Sequence, residues 1–184
     1  MINSKKTKIL VELMHGMGDT VCALPMLKVL RMNFPDSEIT VLIKFASTAD
    51  IIGASHIAID HIVCIDIYKD ISRSLSVLWE LRNRKFDYGI SSCITPVRKA
   101  NFFMKIVKPQ YIVGWQNQGL FFDFLEDKCH FVEANLLSIK EICNIPQRKL
   151  YPKIYTDEIT ITKIREKIGA ENLKKKIVGI CIGN

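Results

Sequence analysis

Residues 8–31 read KILVELMHGMGDTVCALPMLKVLR. An apolar run suited to a β-strand leads through a Gly-x-Gly loop at residues 16–18 into a segment with the composition of a helix. In open parallel α/β sheets such a loop lies at the carboxyl edge of the strands, where these folds bind their ligands. Asp19 follows the loop directly and is therefore the first side chain to consider as functional.

Short β-branched runs alternate with helical segments along the chain. This alternation predicts an α/β fold with a Rossmann-like, mostly parallel sheet, right-handed βαβ crossovers and flanking helices. Because proline lacks an amide hydrogen, Pro25 predicts a kink or a short turn over residues 19–24, with the main helix restarting near it. The predicted strands cover residues 9–13, 38–43, 61–65, 88–92, 111–113 and 177–182, and the predicted helices cover residues 19–33, 48–54, 72–84, 96–107, 131–143 and 159–167.

The end of the chain differs from the rest. Residues 177–182 form a new apolar run followed by Gly183, and one strand cannot form a sheet by itself. The pattern predicts a Rossmann-like domain over residues 1–170, followed over residues 171–184 by a linker and the first strand of a second, missing domain.

The composition indicates an ordered globular protein. The 184 residues are 48% hydrophobic and 24% charged, enough for one core, or for one core and the beginning of a second. The six cysteines form no CxxC pair and have no metal-ligand spacing with the four histidines, so we interpret them as buried, reduced thiols. A polar, lysine-bearing start and no apolar run of about 18 residues predict a cytoplasmic protein without a signal peptide or membrane span.

The net charge of +7 suggests an anionic partner, but the basic residues are dispersed in small clusters along the chain. Contact with a phosphate group, on a lipid head group or on a sugar, stays open. The sequence contains no recognisable nucleic-acid module and no interleaving of aromatic and basic residues of the kind that stacks on bases. Nucleic acid is therefore not expected as a partner.

The glycine-containing loop allows two interpretations. The backbone N–H groups that open the following helix suit an anion, as in nucleotide-binding folds. The third glycine of a dinucleotide fingerprint is missing, however, and no acidic residue closes the strand over residues 38–43. By itself the loop is equally compatible with a tight turn in which Asp19 caps the helix.

Four short motifs follow one another at consistent spacing within residues 9–44, namely Gly18-Asp19, Leu24-Pro25, Leu30-Arg31 and Phe34-Pro35-Asp36. Together they resemble the amino-terminal signature of the heptosyltransferases, glycosyltransferase family 9. Weaker similarities extend the resemblance over nearly the whole chain and lie at FDYGISSCITPVRKA (residues 86–100), VGW (113–115), HFVEANL (130–136) and VGICIGN (178–184). The resemblance implies the amino-terminal half of a GT-B fold, in which this half binds the acceptor and the other half binds a nucleotide-sugar.

The resemblance assigns roles to residues in the first loop. Asp19 occupies the place of the family's general base, and a carboxylate there suits inverting transfer because it can take the proton of the attacking acceptor hydroxyl. Gly16 and Gly18 would line the acceptor site. His15 either helps to bind the acceptor or is a solvated loop histidine, and both interpretations stay open.

Further binding residues follow from the same resemblance. Arg98, with Lys99 beside it, stands at a basic position of the family and would hold a carboxylate or phosphate of the acceptor. Ser92 replaces the family's aspartate in this segment, which implies an acceptor other than the inner-core sugar of the best-known members. Gly183 and Asn184 would contribute to the donor site.

The resemblance thus implies an inverting glycosyltransferase, which we expect to be incomplete, and inactive, in this chain alone. It would transfer a sugar from a nucleotide-sugar, with ADP-heptose as a candidate, to a lipopolysaccharide or other surface-glycan acceptor, in peripheral contact with the cytoplasmic face of the inner membrane. No Asp-x-Asp motif is present, so neither a metal nor a cofactor is expected. The alternative is a non-catalytic remnant or a separate acceptor-binding subunit, and an unrelated nucleotide-binding Rossmann protein is disfavoured by the incomplete fingerprint.

Overall fold

The computed structural model of the chain describes residues 6–92, 97–114 and 129–169, with the backbone alone over residues 97–101. The chain separates into two compact units, residues 1–153 and residues 154–184. The predicted boundary between residues 170 and 171 lies outside the described residues and stays a prediction. No helix in the described ranges is long and apolar enough to cross a lipid bilayer.

The first unit contains a five-stranded sheet with the strand order β3-β2-β1-β4-β5, in which every neighbouring pair is parallel. The predicted parallel α/β sheet is therefore confirmed. The strand predicted over residues 177–182 lies outside the described residues. The strands are β1 (Lys8–Leu13), β2 (Glu38–Ile43), β3 (His61–Cys64), β4 (Tyr88–Ser91) and β5 (Tyr111–Gly114).

Helices cover both faces of the sheet because residues alternate along each strand. Ile9, Val11 and Leu13 of β1 face one apolar cluster, and Leu10 faces the other. The helices are α1 (Met17–Asn33), α2 (Ala46–Ala54), α3 (Ile71–Asn83), α4 (Val97–Val107), α5 (Phe131–Leu137) and, in the second unit, α6 (Glu158–Ile168). On the first face α1 packs against both α2 and α5, and on the second face α3 packs against α4.

The short turn over residues 19–24 and the helix restart predicted near Pro25 are wrong, because α1 is one helix from Met17 to Asn33. The proline removes one hydrogen bond and introduces a steric clash, which together cost about 3 kcal/mol. Leu24, Met26 and Leu27 surround it and are at most 1% exposed. Complete burial of such a side chain contributes about 1.5–3 kcal/mol, so packing of these residues outweighs the defect.

The helix predicted over residues 131–143 is too long, because α5 ends at Leu137 and residues 138–143 form turns. The Ser138 hydroxyl donates a hydrogen bond of 2.7 Å to the Asn135 carbonyl, and the Ile139 amide bonds three residues back to Leu136. Serine offers the backbone such local alternatives to helix continuation. Ile139 and Cys143 nevertheless remain buried, so the turns still pack on the core.

The prediction that the cysteines are buried holds for only one of the four described. Cys143 is buried, Cys22 and Cys129 are half-buried, and Cys64 is exposed. Cys64 is exposed because β3 is an edge strand with little cover. No disulfide joins these four residues.

Candidate functional site

The carboxyl edge of the sheet has its topological switch point between β1 and β4. From β1 the chain proceeds to β2 on one side of the sheet, and β4 lies on the other side. The loops that follow β1 and β4 therefore diverge and leave a crevice, which is where open α/β sheets bind ligands. The Ser92 amide donates to the Glu12 carbonyl at 3.2 Å, so the two strands stay paired up to this edge.

The loop after β1 turns sharply into α1. The Met14 amide donates to the Glu12 carboxylate at 2.9 Å, and the carbonyl of Gly16 accepts from both the amide and the hydroxyl of Thr20 at 3.1 and 3.0 Å. Gly16 is thus the N-cap of α1, and no side chain caps this helix. Asp19 is the third residue of the helix, so it is not the capping residue that the sequence left open as an alternative.

The carboxylate of Asp19 is half-buried at this helix start. Within the described residues it accepts no hydrogen bond and forms no ion pair, and its Oδ2 atom lies 3.9 Å from the point where a β-carbon on Gly16 would stand. The structure therefore presents a carboxylate that no described side chain neutralises.

Cys22 lies one turn further along α1. Burial, and secondarily the negative charge of Asp19, raises the pKa of the Cys22 thiol. The thiol is therefore protonated at neutral pH, and since the thiolate is the reactive form, Cys22 is not a nucleophile here.

His15 is only 9% exposed, which contradicts the interpretation as a solvated loop histidine. Neither ring nitrogen has a hydrogen-bond partner among the described residues. Burial lowers the pKa of His15, and the charge of nearby Asp19 opposes this shift only in part. The ring is therefore neutral at physiological pH, with one nitrogen as donor and one as acceptor. Buried polar atoms are rarely left unpaired, so this imidazole suits a bound hydroxyl group.

Replacement of His15 by leucine is expected to raise the free energy of unfolding by about 1 kcal/mol, since an unpaired buried polar group carries a penalty of about 1–3 kcal/mol. The gain should widen as the pH falls through about 6.5, because the unfolded chain then takes up a proton that the folded wild type, with its lowered pKa, resists. Urea unfolding of both proteins at neutral and mildly acidic pH measures this difference. A gain that shrinks in acid would contradict the assignment of a neutral, buried ring.

The two loop glycines leave open space above the helix start. A β-carbon on Gly18 would meet no atom within 4 Å, and neither Gly16 nor Gly18 has a positive φ. Gly89 and Gly114 are different: a β-carbon on Gly89 would lie 2.4 Å from the Pro109 ring, and Gly114 has a φ of +106°. The fold requires the latter pair, whereas a side chain at Gly16 or Gly18 would cause no steric clash.

On the other side of the switch point, the residue that follows β4 makes a structural hydrogen bond to α5. The Ser92 hydroxyl is completely buried and donates to the side-chain oxygen of Asn135 at 3.0 Å. The amide nitrogen of Asn135 donates in turn to the Phe131 carbonyl at 2.9 Å. At the position where the resembled family has an aspartate, this chain therefore joins β4 to α5. The sequence prediction missed Asn135, whose signal was a lone amide on the apolar face of a helix.

The remaining predicted site residues are only partly placed. Arg98 and Lys99 lie in the first turn of α4, next to the crevice, but their side chains are outside the described residues. Gly183 and Asn184 lie wholly outside them. In the described ranges, no three His, Cys, Asp or Glu side chains are grouped so as to hold a metal ion.

Arg31 organises the opposite, amino edge of the sheet. Its guanidinium donates to the carbonyls of Phe34, Pro35, Ser37 and Ala58 at 2.8–3.3 Å and pairs with the Asp60 carboxylate at 2.6 Å. Although burial acts in the other direction, the Ile39 amide and Arg31 hold the pKa of Asp60 below its ordinary value. The Leu30-Arg31 and Phe34-Pro35-Asp36 motifs thus include a structural clamp.

A cavity of about 660 Å³ opens between α5 and residues 145–152. Its lining combines apolar side chains such as Leu136 and Leu150 with Arg148 and Lys149. Of the predicted site residues whose side chains the structure describes, none lines this cavity. The candidate site is therefore the crevice beside Asp19.

The fold and this site define a Rossmann-like α/β domain of the kind that forms one half of a two-domain GT-B protein. No protein-family model matches the sequence, and no curated protein matches it. Among solved structures, the glycosyl transferase family 9 protein from Veillonella parvula DSM 2008 is similar, with a TM-score of 0.68 and 18% identity, over 90% of this chain and 50% of that one.

The heptosyltransferase WaaC of E. coli is also similar to this chain. Its structure with ADP gives a TM-score of 0.61 and 16% identity, over 78% of this chain and 50% of WaaC. Its structure with ADP-2-deoxy-2-fluoro heptose gives a TM-score of 0.60 and 17% identity, over 78% of this chain and 51% of WaaC. The chain shares their fold and spans about half of their length, which fits the amino-terminal part of such a protein.

Proposed function

We propose that this chain is the acceptor-binding half of an inverting glycosyltransferase of the heptosyltransferase type. The observation that carries the proposal is the carboxylate of Asp19, which lies half-buried and without a described partner at the switch point of the sheet. The similarity in fold to family 9 glycosyltransferases supports the same assignment.

In the proposed reaction, an acceptor hydroxyl attacks the anomeric carbon of a nucleotide-sugar. The hydroxyl proton passes to the Asp19 carboxylate, and the bond from the anomeric carbon to the diphosphate oxygen breaks, so that the nucleoside diphosphate leaves with the electron pair. WaaC structures contain ADP and an ADP-heptose analogue, which supports a nucleotide-sugar donor of this kind. No cofactor takes part, and Gly183 and Asn184 are proposed to contact the donor.

The acceptor is proposed to be a lipopolysaccharide or another surface glycan. A neutral His15 would hydrogen-bond a sugar hydroxyl beside Asp19, while Arg98 and Lys99 would hold an acceptor carboxylate or phosphate. Because Ser92 replaces the aspartate of the resembled family, this part of the proposed acceptor pocket offers no carboxylate. The Ser92 hydroxyl donates instead to Asn135. We therefore propose an acceptor that differs from the family's inner-core sugar.

A transfer assay tests this function. The sample contains the donor-binding half, either on the same polypeptide or as a second chain, and released nucleoside diphosphate is measured with a panel of nucleotide-sugars and core oligosaccharides. Transfer is expected with the complete sample, and acceptor binding without transfer is expected for residues 1–184 alone. Acceptor binding without turnover in every sample would instead support a non-catalytic acceptor-binding subunit.

Substitution of Gly18 by alanine is expected to raise the stability of the fold and to lower the affinity for the acceptor. Alanine is favoured over glycine within a helix by about 0.5–1 kcal/mol, and apart from its chain neighbours and its own helix the new methyl group meets no described atom within 4 Å, so the melting temperature should rise by a few degrees. Affinity for a phosphorylated core oligosaccharide should fall, because the methyl group occupies the space beside Asp19. Calorimetric titration and thermal melting measure both effects.

Gly53→Ala is the matched control. Gly53 lies within α2, and a β-carbon there also meets nothing within 4 Å. This variant should gain the same stability and keep its acceptor affinity. Equal affinities in the two variants would remove the Gly18 loop from the acceptor site.

A further inference from the structure

Helix α2 begins beside the candidate site, and its amino end is not capped. Strands β1 and β2 are paired as far as their carboxyl ends, so the loop into α2 starts next to the loop that leads to Asp19. Phe45 is the N-cap of α2, and no side chain caps this helix. Within the described residues the amides of Ala46 and Ser47 donate to no acceptor. Such unpaired amides, together with the helix dipole, suit an anion.

A lysine directly precedes this helix start. The Lys44 ammonium lies 4.7 Å from the centre of the Phe45 ring and 5.1 Å from the centre of the Tyr68 ring, so two cation–π contacts restrain it. Lys44 forms no ion pair within the described residues, and the first turn of α2 contains no acid. A positive charge is therefore held at the amino end of α2, and no described carboxylate neutralises it.

Thr48 gives independent evidence that a ligand binds here. It is the third residue of α2 and is completely buried, and its Oγ1 atom has no hydrogen-bond partner among the described residues. Side chains of a helix tilt toward its amino end, so this hydroxyl lies toward the unpaired amides. Buried polar atoms are nearly always paired, so an unpaired hydroxyl at this place points to a group that binds there.

We propose that the amino end of α2 binds a phosphate monoester carried by the acceptor. The Ala46 and Ser47 amides and the Thr48 hydroxyl donate to the phosphate oxygens, and the Lys44 ammonium balances the negative charge. Three donors and a cation suit the three terminal oxygens of a phosphate monoester better than the two oxygens of a carboxylate. Because the phosphate is taken to be part of the acceptor, this inference rests on the proposed function.

Calorimetric titration of the 184-residue chain tests the proposal. The probes are a core oligosaccharide that carries phosphate monoesters and the same oligosaccharide after phosphatase treatment. The wild type should bind the phosphorylated probe about tenfold more tightly, the value of one hydrogen bond to a charged group. Lys44→Met, which keeps the apolar stem but not the charge, should lose this preference and keep its affinity for the dephosphorylated probe.

Ala46→Pro removes one of the two amides without removing a side-chain contact. Proline is favoured at the first position of a helix, and Phe45 before it has a φ of −114° and a ψ of 136°, which suit the residue that precedes a proline. The variant should therefore keep the wild-type melting temperature and lose about fivefold in affinity for the phosphorylated probe. Lys28→Met, at an exposed lysine within α1, is the matched control for charge and should bind both probes as the wild type does.

Equal binding of the two probes by the wild type, binding of neither, or an equal loss in Lys28→Met and Lys44→Met would overturn the proposal. ADP or inorganic phosphate that binds as tightly as the phosphorylated probe, and is lost in the same variants, would assign the site to a nucleotide or to free phosphate and also overturn it. Sugar transfer together with equal binding of both probes would retain the proposed function and reject this site. A phosphate preference that depends on Lys44, in samples that transfer no sugar, would reject the transfer reaction and retain the site.

Discussion

Conversion of Asp19 to asparagine is expected to lower the turnover of the proposed two-domain glycosyltransferase by about 10²–10⁴-fold, the usual contribution of general-base catalysis. Asparagine has the size of aspartate but cannot accept the hydroxyl proton. Because the Asp19 carboxylate accepts no hydrogen bond within the described residues, its loss disturbs little of the fold. Acceptor affinity should therefore stay close to that of the wild type, as measured by titration alongside the transfer assay.

Two further variants test whether the loss of turnover is specific to the carboxylate of Asp19. Asp50→Asn removes an exposed carboxylate from the neighbouring helix α2 and should leave turnover unchanged. Asp19→Ala should lose turnover as Asp19→Asn does, while its stability falls by only about 0.3–1 kcal/mol, the value of an acid in the first turn of a helix. Wild-type turnover in the asparagine variant would remove Asp19 from the reaction and with it the main support for the proposed mechanism.

Conversion of Arg31 to alanine is expected to lower the free energy of unfolding by about 3 kcal/mol. Hydrogen bonds to charged groups contribute about 1.5–3 kcal/mol each in favourable cases, and this one side chain serves four carbonyls and a carboxylate. The guanidinium is mostly covered, with 18% of its side chain exposed, so water replaces these bonds poorly. Urea denaturation at neutral pH measures the loss.

The variants Arg31→Lys and Asp60→Asn separate the contributions of hydrogen-bond geometry and of charge pairing to this loss of stability. Lysine keeps the charge but cannot reach several carbonyls at once, so it should recover only a minor part. Asp60 has a lowered pKa in the folded state, so its pairing stabilises the protein above the ordinary aspartate pKa of about 3.9 and is lost as the pH falls through the lowered value. A loss in Arg31→Ala no larger than in Arg148→Ala, an exposed control, would contradict the clamp.

The sheet could be predicted from sequence because its signals are local. The strand predicted over residues 38–43 has the observed bounds, and each strand predicted within the described part is observed, with bounds that differ by at most one residue. The errors have two causes, packing against distant residues in α1 and a local side-chain hydrogen bond in α5. Helix α1 continues through Pro25 because the core buries that turn, and α5 stops at Leu137 because of a hydrogen bond made by Ser138.

The candidate site likewise has features that the sequence could predict and features that it could not. The placement of Asp19 and the loop glycines at the carboxyl edge of the sheet could be predicted because they follow β1 within a few residues. The burial of His15 could not, since it depends on how the loop folds over the helix start. The bond between Ser92 and Asn135 joins residues 43 positions apart, and no pattern in a single sequence indicates which serine meets which asparagine.

The Arg31 clamp lies at the amino ends of β2 and β3, whereas the crevice beside Asp19 lies at the carboxyl ends of β1 and β4. Mutations that alter one edge thus leave the hydrogen bonds of the other edge intact. Evolution can therefore diversify the loops of the proposed acceptor site while the determinants of folding stay constant. The same separation offers protein engineers a rule for randomised libraries: vary residues 14–18 and the loop after β4, and keep residues 31–39 and 58–60 unchanged.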